Sequence, residues 1–300
     1  MIYPVVCELA ADGVPVAVTC RVLNVSTSGY YEWRRRPAST RAWEQAHLME
    51  TIRQVHTASY GTYGHRRVHA ELVLGRGVRV SHGRVERLMR HTGVQGVHRR
   101  RLRGCTRRDQ AATPSDDLVE RRFNPTEPDR LYVADVTQHR TSEGWFYLAV
   151  VIDCFSRRVV GWSMADHIRI ELVVDALQMA IGNRHPDPGA IHHSDHGSTY
   201  TSWAFGHRLR EAGLLGSMGS IGDCFDNSVA ESFFATLQTE LLDRSTWPTR
   251  ESLANAIFAF VEGFYNPTRR HSTLGNLSPA DYETQAALTS PAGPHAETAA

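Results

Sequence analysis

The sequence predicts two parts, an all-α region rich in arginine and then an α/β domain built on a mixed five-stranded sheet. Through the first 108 residues, apolar side chains recur every three or four positions, which is the period of helices. A polar stretch with three prolines covers 109–128, and short apolar segments separated by turn residues follow it, as in sheets. At 300 residues, the chain is long enough for two domains.

Composition excludes several classes of protein. The hydrophobic fraction of 41% is too high for wholesale disorder. The longest apolar run, Phe146 to Ile152, is too short to cross a bilayer, and the N-terminus lacks the pattern of a secretory signal. The five cysteines are scattered and include no C-x-x-C pair, which argues against a disulfide framework. We therefore expect a cytoplasmic protein.

The N-terminal helices come first along the chain. Val16, Cys20 and Leu23 lie on one helical face, and Ser26 is placed to cap a second short helix that ends before Pro37. Two short helices joined by a turn are typical of a helix-turn-helix, although any helical hairpin gives the same pattern. Six further apolar positions predict buried helix faces in the next block: Leu48, Ile52, Val55, Val85, Leu88 and Met89, with Ser81 as a cap.

Charge is divided unevenly along the chain. Residues 1–108 carry a balance of +12, and residues 109–300 carry −11, although the whole chain is only +1. All 33 basic residues are arginine, and 13 of them fall within 66–108 beside two acids. This block is either a solvated basic face or a surface that contacts phosphate, and we favour phosphate. The proposed DNA contacts here are Arg66, Arg67, Arg84, Arg99, Arg100 and Arg101.

The second part begins with three strands that form an antiparallel meander. They are predicted over 131–136, 145–153 and 158–164, with turns at 140–144 and 154–157. Helices and strands then alternate. The expected elements are a helix over 170–183, a strand over 190–194, a helix near 202–213, a strand near 215–219 and helices near 226–242 and 251–265.

Three carboxylates stand out in this second part. Asp135 lies within an apolar strand, where a buried charge is costly unless a cation or hydrogen bonds compensate it. Asp195 follows the fourth strand, and Glu231 lies on a helix beside its apolar stripe. Taken singly, Asp195 is consistent with a turn and Glu231 with a solvated face. Together they supply the oxygen ligands that Mg²⁺ or Mn²⁺ prefers for chemistry at phosphorus.

The spacing of these carboxylates resembles that of a known catalytic core. Between Asp195 and Glu231 lie 35 residues, as in the D,D(35)E core of retroviral integrases and related transposases, which share the ribonuclease H-like fold. The chain is most similar to OrfB-type transposases of the IS-three family of bacterial insertion sequences. The matching stretches are SGYYEW (28–33), YGHRRVHAEL (63–72), the strand around 135–137, HHSDHGSTY (192–200), DNSVAES (226–232) and YNPTRRHSTLGNLSPADYE (265–283).

The resemblance implies roles for particular residues. Asp135, Asp195 and Glu231 would bind two Mg²⁺ or Mn²⁺ ions, which activate water to nick the element end and then support attack by the freed 3′-OH. Asn227 is expected to support the ligands, and His193 either to support them or to face DNA. Four further residues are expected at DNA: Arg269, Arg270 and His271 near phosphate, and Gln238 near the element end. At Gln238 and at Ile221 the family usually has a basic residue.

The resemblance also implies partners and domain boundaries. The partners are double-stranded DNA (element ends and target), an upstream-frame protein or a frameshift fusion to it, and further copies of the chain on DNA, in a nucleoid-associated setting. The boundaries are 1–40 for a helix-turn-helix segment, 41–108 for an Arg-rich DNA-binding domain, 109–128 for a linker, 129–285 for an integrase-type core and 286–300 for a disordered tail.

The sequence leaves room for other functions. A zinc site at His192, His193 and His196 is disfavoured because no cysteine cluster accompanies them, and Ser194-Asp195-His196 makes a poor hydrolase triad because adjacent strand residues face opposite ways. Two rivals stay open. One is a nuclease of the same fold that does not join DNA, and the other is a catalytically silent DNA-binding relic or repressor.

Overall fold

The computed structural model describes residues 2–36, 39–97, 123–195, 197–218 and 228–289. The chain forms two compact units, Met1–Thr51 and Ile52–Ala300. In the described ranges, no helix combines the length and the apolar character needed to cross a membrane.

The first unit contains three short helices around a small core. They are α1 (Tyr3–Ala11), α2 (Val16–Val22) and α3 (Thr27–Arg35). Val6, Cys20 and Tyr30 are at most 1% exposed and form this core, one from each helix. The Ser26 hydroxyl accepts a hydrogen bond from the Gly29 amide at 3.2 Å, which confirms the predicted N-cap of α3. Helix α1 was not predicted.

The chain continues through α4 (Thr40–Ala58), α5 (His65–Ala70), a π-helical turn (Glu71–Gly75) and α6 (His82–His91). All six apolar positions predicted to face inward are buried: Leu48, Ile52, Val55, Val85, Leu88 and Met89. Ser81 occupies the N-cap position of α6, as predicted, but its side chain makes no capping hydrogen bond.

The sheet confirms the predicted mixed topology. Its strands are β1 (Leu131–Thr141), β2 (Gly144–Asp153), β3 (Val159–Ala165), β4 (Ile191–Ser194) and β5 (Leu215–Met218). Their order is β3-β2-β1-β4-β5, with antiparallel pairs within the meander and parallel pairs from β1 to β4 and from β4 to β5. Strand β1 is longer than predicted, because the hairpin turn is confined to residues 142–143.

Helices cover both faces of the sheet. They are α7 (Ile170–Arg184), α8 (Trp203–Glu211), α9 (Ser228–Glu240), α10 (Arg250–Phe260) with a π-helical turn (Val261–Tyr265), and α11 (Pro279–Thr289). Tyr132 and Ala134 of β1 pack with Leu172, Leu177 and Phe205 of α7 and α8. Because alternate strand residues face opposite ways, Val133 and Asp135 point to the other face, where α9 contacts β1 and β2.

Helix α11 corrects the prediction for the C-terminus. The predicted disordered tail starts at residue 286, but the helix continues to Thr289, and residues 290–300 lie outside the described ranges. The helix is held by Glu283, which accepts hydrogen bonds from Arg158 at 2.8 Å and from Arg184 at 3.0 Å. These partners are distant in sequence, so local pattern alone did not reveal this anchor.

Candidate active site

Two of the three predicted carboxylates come from neighbouring parallel strands. The register of β1 and β4 pairs Leu131 with Ile191 and Val133 with His193. The same register, continued by two residues, places Asp135 opposite Asp195, which directly follows β4. Neighbouring strands lie about 4.8 Å apart. Asp135 and Asp195 are therefore adjacent, at the carboxyl end of β4.

The third carboxylate, Glu231, is exposed in the first turn of α9, the helix that packs on β1. Asp135 is half-buried, and its Oδ1 accepts a hydrogen bond from the Val136 amide at 2.7 Å. Burial raises the pKa of Asp135 to about 7, against the effect of that hydrogen bond, and the charges of Asp195 and Glu231 raise it further. Asp135 therefore lies within electrostatic reach of both other carboxylates.

The chemistry of this group fits a hard divalent cation. Among the described residues, Asp135, Asp195 and Glu231 form no ion pair with a basic side chain, so their charge is left for another partner. Carboxylate oxygens are the ligands that Mg²⁺ and Mn²⁺ prefer. The side chains do not converge fully, since no three metal-ligating side chains in the described ranges are arranged closely enough to hold an ion.

The supporting residue His193 is buried rather than exposed to DNA. It precedes Asp195 by two residues on the same face of β4, and its Nδ1 lies 3.0 Å from Ser217 Oγ on β5. Its ring packs edge-on against Phe123 at 5.4 Å between centroids. These contacts hold the strand that leads to Asp195. Asn227, His196 and Ile221 lie outside the described residues.

Two further polar side chains are buried: Tyr200, for which the sequence predicts no role, and His192, which the sequence offers only as a disfavoured zinc ligand. The Tyr200 hydroxyl has no hydrogen-bond partner among the described residues, and burial, followed by the charges of Asp135 and Asp195, raises its pKa. Both ring nitrogens of His192 also lack hydrogen-bond partners among the described residues. Burial lowers the pKa of His192 to about 4, so the imidazole is neutral at pH 7. The only sequence signal for Tyr200 was its place in the HHSDHGSTY stretch.

The structure corrects the expectation for Arg269, Arg270 and His271, which are 3%, 6% and 9% exposed. Arg269 donates to both carboxylate oxygens of Glu240, at 2.8 and 2.7 Å. Arg270 donates to Glu71 at 2.8 Å. All three side chains are therefore buried rather than on the open surface, and each arginine is paired with a carboxylate.

The remaining predicted DNA contacts differ in exposure. Arg66 is exposed and Arg84 half-buried, and neither forms an ion pair within the described ranges. Arg67 is half-buried and donates to Glu240 at 2.9 Å. The Gln238 amide donates to Asp243 at the end of α9. Arg99, Arg100 and Arg101 lie outside the described residues.

Comparison with known proteins identifies both parts of the chain. The HTH-like domain model matches residues 42–101, and two integrase core domain models match residues 125–224 and 231–286. These matches confirm the predicted integrase-type core and the helix-turn-helix-like region before it. Among solved structures, a chain of the simian T-cell lymphotropic virus intasome in complex with PP2A regulatory subunit B56 gamma is 14% identical, with a TM-score of 0.46 over 81% of this chain and 76% of that one.

Sequence relatives extend over most of the chain. The transposase InsF for insertion sequence IS3A of Escherichia coli (strain K12) is 36% identical over 90% of this chain and 94% of its own length. A putative transposase for insertion sequence element IS986/IS6110 of Mycobacterium tuberculosis (strain ATCC 25177 / H37Ra) is 38% identical over 87% and 95%. The chain therefore belongs to the IS3 family of insertion-sequence transposases.

Proposed function

We propose that this transposase nicks the ends of its insertion sequence and joins the freed 3′-OH to target DNA, with Asp135, Asp195 and Glu231 as its catalytic carboxylates. The observation that carries the proposal is the register that sets Asp135 beside Asp195, together with the lack of an ion-pair partner for these two carboxylates and for Glu231 in the described ranges. They come from β1, from the end of β4 and from the first turn of α9, and the charges of two of them raise the pKa of the third.

These three residues would hold the metal, which we propose to be two ions of Mg²⁺ or Mn²⁺. When bound, such ions stabilise the charge that develops on phosphoryl oxygens during in-line displacement. The chain contributes rigid placement. Asp135 is held by the Val136 amide within a strand paired on both sides, and Glu231 is held on a helix that packs against that strand. No covalent protein–DNA intermediate is part of the proposal.

DNA binding is assigned first to the HTH-like domain. Arg66 and Arg84 carry charges that no acidic side chain in the described ranges neutralises, which suits contact with phosphate. Arg99, Arg100 and Arg101 are proposed as further contacts from their sequence alone. An upstream-frame partner or fusion and assembly of several copies on DNA are also part of the proposal, as the family resemblance implies.

A strand-transfer assay separates this proposal from its rivals. The purified chain is incubated with Mg²⁺, a labelled element end and a target plasmid. We expect joined product. Nicked product without joining would identify a nuclease, and a mobility shift without cleavage would identify a silent DNA-binding protein. Asp135→Asn and Asp195→Asn should abolish both reactions and keep DNA binding in EDTA, because each removes a ligand charge. Normal joining by either variant would remove that residue from the active site.

A further inference from the structure

We infer that a cavity of about 290 Å³ beside α9 is a phosphate-binding pocket, separate from the three catalytic carboxylates. One wall is the polar face of α9, and the other walls come from the HTH-like domain, from the turn between β2 and β3, and from the segment after α10. Its lining combines three arginines, His271 and hydroxyl residues of α9 and of 272–273 with three larger side chains, Val229, Phe233 and Tyr265.

The charge of the pocket is unbalanced. Three arginines line it, and no acidic side chain of the described residues does. Glu240 lies behind the wall and pairs with both Arg67 and Arg269, at 2.9 and 2.7 Å. Arg157 forms no ion pair within the described ranges, and its guanidinium reaches only the Asn124 amide oxygen, at 3.4 Å. Three positive charges against one negative charge leave an excess of two, which an anion would neutralise.

His271 responds to this excess of positive charge. Burial lowers its pKa to about 2, with the charges of Arg269, Arg67 and Arg157 acting in the same direction. The imidazole is therefore neutral at physiological pH and adds no charge of its own. Burial, followed by the charge of Arg269, also lowers the pKa of Arg67. Burial is the larger cause of both shifts, and the like charges of the neighbouring arginines, which a bound anion would offset, act in the same direction.

Hydroxyl groups complete a donor set suited to phosphate. Ser228 and Ser232 lie one turn apart along one face of α9, whereas the hydroxyl of Thr236, one turn further, already donates to the Ser232 carbonyl at 2.9 Å. Guanidinium groups form strong, often paired hydrogen bonds to phosphate oxygens, and hydroxyls add weaker ones. Ser232 directly follows Glu231. A phosphate held in the pocket would therefore lie beside the proposed catalytic helix, where a DNA strand would need to be fixed.

The ligand is a phosphate group, and two sources would supply it: a DNA strand or a free phosphate ion. The choice of DNA as the source rests on the proposed function, whereas the proposal of a phosphate-binding pocket does not. Arg157 is the best residue to change, because its removal breaks no ion pair of the described residues. Arg157→Gln is compared with Arg210→Gln, which removes one exposed charge from α8 on the opposite face of the sheet.

The first measurement uses inorganic phosphate as the probe. Thermal unfolding of the full chain is followed in phosphate and in chloride at equal ionic strength. An anion that binds only the folded chain raises the melting temperature. We expect phosphate to raise it for wild type and Arg210→Gln but not for Arg157→Gln. Equal responses of all three proteins would show that phosphate does not bind at Arg157.

The second measurement uses a labelled DNA duplex in EDTA, so that no catalysis is involved. Each phosphate contact contributes about 0.9 to the slope of log affinity against log salt. Arg157→Gln should therefore lower the slope by about one unit, so that affinity falls about 3.5-fold less between 50 and 200 mM salt. Ser232→Ala should weaken binding about two- to tenfold without changing the slope, because it removes a hydrogen bond but no charge.

The outcomes separate the two sources and the two proposals. A lower slope for Arg157→Gln, with the slope for Arg210→Gln unchanged, supports contact with a DNA phosphate. Stabilisation by inorganic phosphate without any change of slope supports a free anion as the ligand. If Arg157→Gln changes neither the response to phosphate nor the salt slope, the pocket proposal is overturned. Because both measurements are made without metal, a failure of strand transfer refutes the proposed function alone, and a failure here refutes the pocket alone.

Discussion

Glu240 offers a test of how the HTH-like domain is held to the integrase core. The side chain is only 7% exposed and accepts three charged hydrogen bonds, one from Arg67 and two from Arg269. Glu240→Gln keeps the shape but removes the negative charge between two guanidinium groups. Removing one partner of a buried ion pair costs about 3–5 kcal/mol. At about 2–4 °C per kcal/mol for a unit of this size, the melting temperature should fall by about 6–20 °C.

The matched control for this change is Glu86→Gln. Glu86 pairs with Arg90 at 2.8 Å, but both side chains are largely exposed, at 45% and 75%. Such a pair within a helix contributes about 0.3–0.5 kcal/mol. We therefore expect calorimetry at pH 7 to show a loss in the free energy of unfolding that is roughly tenfold larger for Glu240→Gln than for Glu86→Gln. A loss below about 1 kcal/mol for Glu240→Gln would refute the reasoning, because it would mean that the pair is solvated.

The ionisation of Glu240 should also make the stability of the protein depend on pH. Burial raises the pKa of Glu240, but the hydrogen bonds and charge of Arg269, with those of Arg67, outweigh it and hold the pKa below its ordinary value. The stability from this group is therefore fully present above the ordinary glutamate pKa of about 4.3 and is lost as pH falls through the lower folded value. Glu240→Gln should remove this part of the acid sensitivity. Identical acid profiles for wild type and variant would contradict the assignment.

Three further predictions concern other parts of the chain. Gly161→Ala should destabilise the core by about 1–3 kcal/mol in thermal unfolding, because an added Cβ would lie 2.2 Å from a backbone carbonyl of α7; an unchanged melting temperature would contradict this packing. Gln238→Lys should raise the salt slope of element-end binding by less than one unit, because Asp243 would pair with the new cation; a full unit would show that position 238 faces DNA. Cys7 is exposed and should react with a thiol reagent in the native protein, whereas Cys154, whose buried thiol has a raised pKa, should react only after unfolding; labelling and mass spectrometry distinguish them.

Much of the fold could be predicted because it depends on local pattern. The strands over 131–136 and 145–153 were recognisable from apolar runs, and the buried faces of α4 and α6 from helical spacing. The pairing of Asp135 with Asp195 follows from the parallel register of β1 and β4, which the structure shows and local pattern alone does not give. The roles of these carboxylates remain predictions.

The predictions that the structure contradicts concern side chains whose partners are distant in the sequence. Arg270 looked like a surface cation because its partner Glu71 is 199 positions away in the chain. Arg269 looked exposed for the same reason, since Glu240 reaches it only when α9 packs beside the segment that follows α10. The charge of an arginine in the sequence does not show whether a carboxylate will be buried beside it in the fold. Composition alone therefore overestimated how many arginines are free to bind DNA.

The central claim, that Glu231 belongs to the active site, is tested most directly by the joining rate of Glu231→Gln. Glu251→Gln is the matched control, because Glu251 is also exposed in the first turn of its helix, α10, and forms no ion pair in the described ranges. In Mg²⁺ with a labelled, pre-nicked element end, we expect no joining by Glu231→Gln and the wild-type rate for Glu251→Gln, with equal DNA binding in EDTA. Joining by Glu231→Gln at the wild-type rate would contradict the account.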